Sequence, residues 1–154
     1  MLHVVPRPVA REAPSTVLQG GRRKAYRPLP ATARRAALLE ALAAYARDDW
    51  FLAHELLEPA WMGTADLPER ELYQGLIKLA AAHVHRIRGN ARGMAKNLAG
   101  ARARLCAAVD GGADDAGLAL AALLAAIDDR LRLLAALSEG RVGEVPPIVL
   151  PRRP

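Results

Sequence analysis

Apolar residues recur at helical spacing in five successive segments of the chain. The pattern predicts helices over about 32–47, 48–61, 66–88, 90–109 and 114–138. Asp66 followed by Pro68 and Glu69 is typical of a helix start, and Gly89 then Asn90 of a stop and a new start. The third segment has apolar or small residues on nearly every side of the predicted helix, which is typical of a central helix. We therefore predict an all-α fold, a five-helix and mainly antiparallel bundle around the third helix, with no strands.

The two ends of the chain differ in composition from this bundle. Residues 1–30 contain five prolines and show no sustained periodicity, and residues 1–35 hold eight arginines and lysines against Glu12 alone. Since the whole chain carries a net charge of +6, the rest of it is close to neutral. We expect a flexible, basic, proline-rich arm over 1–30, one helical domain over 31–140 and a Pro/Arg tail over 141–154.

Composition excludes several classes of protein. Hydrophobic residues make up 52% of the chain and aromatic residues 4%, which favours helices over strands. A single cysteine, Cys106, rules out an intrachain disulfide framework. No apolar run reaches the roughly 20 residues of a membrane span, and no signal peptide is recognisable, so we expect a cytoplasmic protein without a membrane segment.

Polar residues on the second and third helices form the candidate site. His54 and Glu58 are four residues apart, so they can touch or share a ligand, and Trp61 lies on the same side of the helix as His54. On the third helix Gln74, Lys78 and His85 follow one line with the small Ala81 between them. If the two helices form a hairpin, these side chains meet. We predict a ligand-binding polar cluster of six residues: His54, Glu58, Trp61, Gln74, Lys78 and His85.

Two interpretations of the cluster stay open. In one, His54, Glu58 and His85 bind a divalent metal or a small polar ligand, because two imidazoles and a carboxylate are sufficient donors for zinc or iron. In the other, the cluster is a buried hydrogen-bond network that fixes helix register. Lys78 favours the network, because an ammonium beside Glu58 would compete with a cation. The His-Glu-x-x-His pattern of zinc proteases is excluded, because Glu58 stands at the position of the second histidine.

Three motifs in order resemble a known family. They are Ala53-His54-Glu55-Leu56-Leu57-Glu58 with Trp61, then Gln74-Gly75-Leu76-Ile77 with 79–82, and then His85 with Arg88-Gly89-Asn90-Ala91-Arg92-Gly93. Over about 36–108 the chain resembles the domain-of-unknown-function family numbered 309, small and mostly prokaryotic helical proteins with no established activity. The resemblance implies an all-α bundle whose motif residues include His54, Glu58, Gln74 and His85. Leu52, Pro59 and Lys78 depart from the family pattern, which weakens a metal site.

The function predicted from these observations is a helical scaffold or ligand-binding module without catalytic residues. One alternative is a metal-dependent enzyme that uses His54, Glu58 and His85. A second is a nucleic-acid-associated protein that binds phosphates through the basic arm, whose cluster is Arg22-Arg23-Lys24. The alanine-rich helices also make self-association plausible, but no residue specifies it.

Overall fold

The computed structural model describes residues 15–154, and their regular structure is mostly helical. The elements in chain order are β1 (Thr16–Gln19), β2 (Arg22–Ala25), α1 (Ala31–Ala46), α2 (Trp50–Met62), α3 (Leu67–Ile87), α4 (Ala91–Asp110), α5 (Leu120–Ala136) and a 3-10 helix (Glu139–Glu144). The five predicted α-helices are present, and the 3-10 helix is additional. None of the helices in residues 15–154 is long and apolar enough to cross a membrane.

Three of the predicted helix starts are confirmed by side-chain caps. Asp49, Asp66 and Asn90 each accept a hydrogen bond from the backbone N–H three residues later. These bonds satisfy donors that the first turn of a helix leaves unpaired, which explains why the three helices begin where they do. After α3, Gly89 adopts a φ of 71°, the left-handed conformation that ends a helix.

The predicted start of the fifth helix at Asp114 or Asp115 was wrong. Their carboxylates instead accept hydrogen bonds from the N–H groups of Ala116 and Gly117, two residues ahead, and form tight turns. Aspartate caps turns as readily as helices, because its short side chain reaches the backbone N–H two residues on. The helix begins only at Leu120.

The prediction of no strands was wrong as well. β1 and β2 pair as an antiparallel hairpin in which Gln19 faces Arg22. The turn residues Gly20 and Gly21 both have positive φ, 58° and 75°, and a two-residue turn of this kind matches the twist of paired strands. Residues 16–25 of the expected arm are therefore an ordered hairpin, while the arm's first 14 residues lie outside the described part of the chain.

The core lies where α3 packs against α2 and α4. Ten residues of α3 are buried, in line with its expected central position. Gly75 allows a close approach to α4, since a Cβ built at this position would lie 2.7 Å from Leu105 Cγ. Consecutive helices from α1 to α5 contact one another, as their short connections predict.

The segment after α5 contributes to the core rather than lying free of it. Val145 and Ile148 are buried, and the Ile148 backbone N–H donates to Nε2 of the fully buried His83 on α3. Arg86 and Arg130 also hold this segment by donating to its backbone carbonyls. These hydrogen bonds fix residues 145–148 across one end of the bundle.

Candidate functional site

Gln19 of the hairpin is the centre of a buried polar network between the hairpin, α2 and α3. Its side chain is only 3% exposed and makes four hydrogen bonds. Its Oε1 accepts from Trp61 Nε1 at 3.1 Å and from Arg70 Nε at 3.3 Å. Its Nε2 donates to Gln74 Oε1 at 2.7 Å and to Glu71 Oε1 at 3.2 Å. Both the donor and the acceptor of this amide are satisfied within the protein.

Arg70, on α3, completes this network. It is fully buried, and its guanidinium donates to the carbonyls of Trp61 and Thr64, each at 2.9 Å. The guanidinium also lies over the Trp61 ring, 5.2 Å from the ring centroid. Burial lowers the pKa of Arg70 from its ordinary value. A buried cation held by carbonyls and an aromatic face anchors the α2–α3 connection.

Trp61 and Gln74, two of the six predicted cluster residues, thus have structural partners. Sequence reasoning missed Gln19, Arg70 and Glu71, which complete the same network. No local signal identifies Gln19, because its importance depends on the docking of a hairpin that lies 51 residues before Arg70. This part of the predicted cluster corresponds to the buried-network interpretation.

Lys78 lies apart from Glu58 and packs on α4. A Cβ built at Gly100 would lie 2.9 Å from Lys78 Cδ, so the lysine side chain crosses α4 where α4 has no side chain of its own. Burial lowers the pKa of Lys78, and the positive charges of Arg104, Lys24 and Lys96 lower it further. The expected salt bridge to Glu58 is not among the ion pairs of residues 15–154.

His54 is close to both neighbouring glutamates on α2. Its Nε2 lies 3.9 Å from Glu58 Oε1, as the four-residue spacing predicts, and its Nδ1 lies 3.4 Å from Glu55 Oε1. The approach of Glu55 does not have hydrogen-bond geometry, so Nδ1 is a buried nitrogen without a hydrogen-bond partner within the described chain. The side chain itself is 27% exposed. His54 therefore stands at the border of the core, with one nitrogen unsatisfied.

His85 is positioned by the start of α4. The Asn90 Oδ1 accepts from the Gly93 N–H at 2.8 Å, so the Asn90 amide nitrogen points its hydrogens at His85 Nδ1, 3.2 Å away. A donor at that distance makes Nδ1 the acceptor, and in the neutral ring the proton is on Nε2. Gly93 is needed for this arrangement, because a Cβ there would lie 2.5 Å from His85 Nδ1. Asn90 and Gly93 thus orient a histidine as well as starting a helix.

His54 and His85 come together at a surface cleft between α2 and α3. We call it the α2–α3 cleft; it consists of two adjoining cavities of about 170 and 240 Å³. The first is lined by Phe51, His54, Ala81, Val84, His85 and Arg88. The second shares Phe51, Val84 and Arg88 with the first and adds Asp48, Asp49, Trp50 and Ile87. Of the predicted cluster, only these two histidines line the cleft.

The predicted three-residue metal set is not assembled. Within residues 15–154 no group of three or more histidine, cysteine, aspartate or glutamate side chains is placed to hold a metal ion. Asn90 donates to Nδ1 of His85, so that ring presents only Nε2 to a ligand. The arrangement offers hydrogen-bond donors and positive charge rather than a ready coordination sphere.

A third histidine of the helical bundle, His83, is fully buried two residues before His85. Its Nδ1 lies 2.9 Å from the Leu79 carbonyl and its Nε2 accepts the Ile148 N–H at 3.0 Å, which fixes the proton on Nδ1. The ring stacks on Trp50, with centroids 5.0 Å apart. Burial lowers the pKa of His83 to about 4. It acts as a neutral structural residue.

A separate polar cluster joins α1 to the start of α3. Glu69 accepts from Arg34 Nε and from the Tyr73 hydroxyl, both at 2.7 Å, and from Thr64 at 3.0 Å. Desolvation opposes ionisation of Glu69, but these donors outweigh it and hold its pKa below the ordinary value. Burial, and then the hydrogen bond to Glu69, raise the pKa of Tyr73 well above its ordinary value. A cavity of about 250 Å³ adjoins this cluster, but its polar groups are paired.

Comparison with known proteins identifies one family. The family model described as a domain of unknown function, DUF309, matches residues 38–97. The matched segment runs from α1 into α4 and contains all six residues of the predicted cluster as well as the α2–α3 cleft. No curated protein and no solved structure matches the chain.

Proposed function

We propose that this chain is a helical ligand-binding module whose site is the α2–α3 cleft. Its residues 38–97 match the model of the domain family of unknown function DUF309. The ligand that fits the residues of the cleft is a small organic anion with an apolar group. Four of the six cluster residues predicted from the sequence then form two pairs with different roles. Trp61 and Gln74 hold the hairpin, and His54 and His85 bind the ligand.

Two buried polar atoms without partners carry this proposal. Trp50 Nε1 and His54 Nδ1 are the buried side-chain nitrogens in residues 15–154 that make no hydrogen bond, and both residues line the cleft. Leaving a buried polar group unpaired costs about 1–3 kcal/mol. The other tryptophan, Trp61, is fully paired through Gln19. Two unsatisfied polar atoms in residues that line one cleft support a site that is completed by a ligand.

The charges of the cleft favour an anion at one end. His85 carries its proton on Nε2, and Arg88 offers a guanidinium, so both can donate to a carboxylate or phosphate oxygen. Asp48 and Asp49 line the other cavity and repel an anion there. The acidic group of a ligand therefore belongs beside His85 and Arg88, because Glu55 and Glu58 flank His54.

The remaining wall of the cleft supports an apolar group on the ligand. Phe51 and Ile87 are 61% and 65% exposed, large values for such residues, and Ala81 and Val84 complete the surface between them. Ligand sites characteristically combine an apolar lining with a few polar groups. An aromatic carboxylate is the simplest molecule with both features.

The test is a benzoate titration followed by the two indole N–H signals in ¹⁵N-labelled protein. We expect the Trp50 signal to shift and saturate while the Trp61 signal stays in place, because Trp61 already donates to Gln19. Trp50→Phe assigns the signals. If neither signal moves, or if both move alike, the proposal fails.

The same titration has a matched pair of variants. Arg88 and Arg47 are both exposed arginines that follow the last turn of a helix, but only Arg88 lines the cleft. Arg88→Gln should weaken benzoate binding severalfold, and Arg47→Gln should leave it unchanged. Equal effects of the two substitutions would mean that benzoate responds to net charge and not to the cleft.

A further inference from the structure

Four cations from three elements gather on the side of the bundle that carries the hairpin. They are Lys24 on β2, Lys78 on α3, and Lys96 and Arg104 on α4. We call this surface the basic face. It is separate from the α2–α3 cleft, whose lining includes none of the four.

The backbone of α4 sets the positions of these cations. Lys96, Gly100 and Arg104 are spaced by four residues and lie on one side of the helix. Lys78 from α3 fills the gap at Gly100 and so lies between the two α4 cations. Arg104 in turn reaches the turn of the hairpin, where a Cβ at Gly20 would lie 3.5 Å from its Nη1.

The protein neutralises little of this charge. Glu71 pairs with Arg104 at 3.2 Å. The three lysines form no salt bridge with any of residues 15–154. Burial lowers the pKa of Lys78, and repulsion from the positive charges of Arg104, Lys24 and Lys96 lowers it further. Repulsion of this kind is relieved by a bound anion.

We propose that the basic face binds the phosphate backbone of a nucleic acid strand through Lys24, Lys78, Lys96 and Arg104. Arg22 and Arg23 extend the positive surface along the exposed strand β2, beyond the reach of a single phosphate group. A row of cations over three elements suits a polymer with regularly spaced charges. This inference does not depend on the ligand proposed for the cleft.

The experiment measures the fluorescence anisotropy of a labelled single-stranded oligouridylate with the full chain over a range of salt concentrations. The variant Lys24→Gln/Lys78→Gln/Lys96→Gln should bind at least about tenfold more weakly at low salt. Loss of three phosphate contacts should also reduce the slope of log affinity against log salt by about 2, at about 0.7 per contact. A labelled DNA duplex tests whether the face accepts paired strands.

The matched control removes three charges elsewhere. Arg35, Arg47 and Arg132 are exposed and lie outside the basic face, so Arg35→Gln/Arg47→Gln/Arg132→Gln should retain the affinity and most of the slope. If the triple lysine variant unfolds, Lys24→Gln/Lys96→Gln, which leaves the Lys78–Gly100 packing intact, must still weaken binding. The proposal is overturned if the two triple variants lose affinity equally, or if neither does. It is also overturned if phosphatidylserine vesicles bind the chain and oligonucleotides do not.

Discussion

Replacing Gln19 with leucine should destabilise the fold although the two side chains are similar in volume. The substitution removes four hydrogen bonds and leaves Trp61 Nε1, Arg70 Nε and Gln74 Oε1 without their partner. A buried polar group that loses its partner costs about 1–3 kcal/mol. Arg70 keeps its carbonyl partners and Gln74 is only half-buried, so the sum is reduced. We expect the free energy of unfolding to fall by about 2–4 kcal/mol.

Urea unfolding followed by circular dichroism measures this loss. The control is Leu18→Gln, the adjacent hairpin residue, whose side chain is 60% exposed. A surface substitution of that kind should change the free energy of unfolding by no more than about 0.5 kcal/mol. If Gln19→Leu costs less than about 1 kcal/mol, the hydrogen bonds of Gln19 do not hold the hairpin on the bundle, and the structural role given to Trp61 and Gln74 fails with them.

Two further predictions concern the core. The pKa of His83 is about 4 in the folded chain against 6.5 in the unfolded chain. The unfolded chain therefore takes up a proton first as the pH falls. About 3 kcal/mol of the free energy of unfolding should be lost between pH 6.5 and pH 4. Urea unfolding at several pH values should show this slope in the wild type and a flatter one in His83→Asn; parallel slopes would contradict the assignment. Gly75→Ala should lower the free energy of unfolding by about 1–3 kcal/mol, because the new Cβ would lie 2.7 Å from Leu105 Cγ. The control Gly140→Ala should leave it unchanged, because a Cβ at Gly140 meets no atom within 4 Å. Equal melting midpoints for the two glycine variants would contradict that packing.

The helices could be predicted because their signals are local. Asp49, Asp66 and Asn90 cap the helices that follow them within three residues, so the sequence alone contains both partners of each bond. Asp114 and Asp115 also looked like helix caps in the sequence, yet they stabilise turns. An aspartate can accept from the N–H two residues ahead, which forms a turn, as easily as from the N–H three residues ahead, which starts a helix. Local chemistry predicts that a backbone donor is capped, but it does not always predict which structure follows.

The hairpin could not be predicted because its stability comes from distant residues. Four-residue strands are too short to be stable alone, and Gln19 holds them through partners on α2 and α3. The glycine pair at 20–21 was the one local sign of a turn. The presence of many arginines and prolines around it favoured a disordered interpretation.

The sequence placed six candidate residues on two neighbouring helices, but it could not show which partners each of them contacts. Helical spacing correctly placed Glu58 near His54. The spacing could not separate Gln74 and Lys78, which point to the hairpin and to α4, from His85, which lines the cleft. His83 differs from His85 by two positions, and only the packing of residues 145–148 shows that one is buried and the other available.

The most direct test of the ligand-binding proposal is the affinity of His54→Leu for benzoate, measured by calorimetry alongside its melting midpoint. Leucine removes a buried nitrogen that has no partner, so the midpoint should be unchanged or higher, while benzoate binding should be lost. That combination separates a residue that binds a ligand from one that stabilises the fold. Unchanged affinity, or a lowered midpoint that accounts for the loss, would contradict the assignment of the α2–α3 cleft as the ligand site.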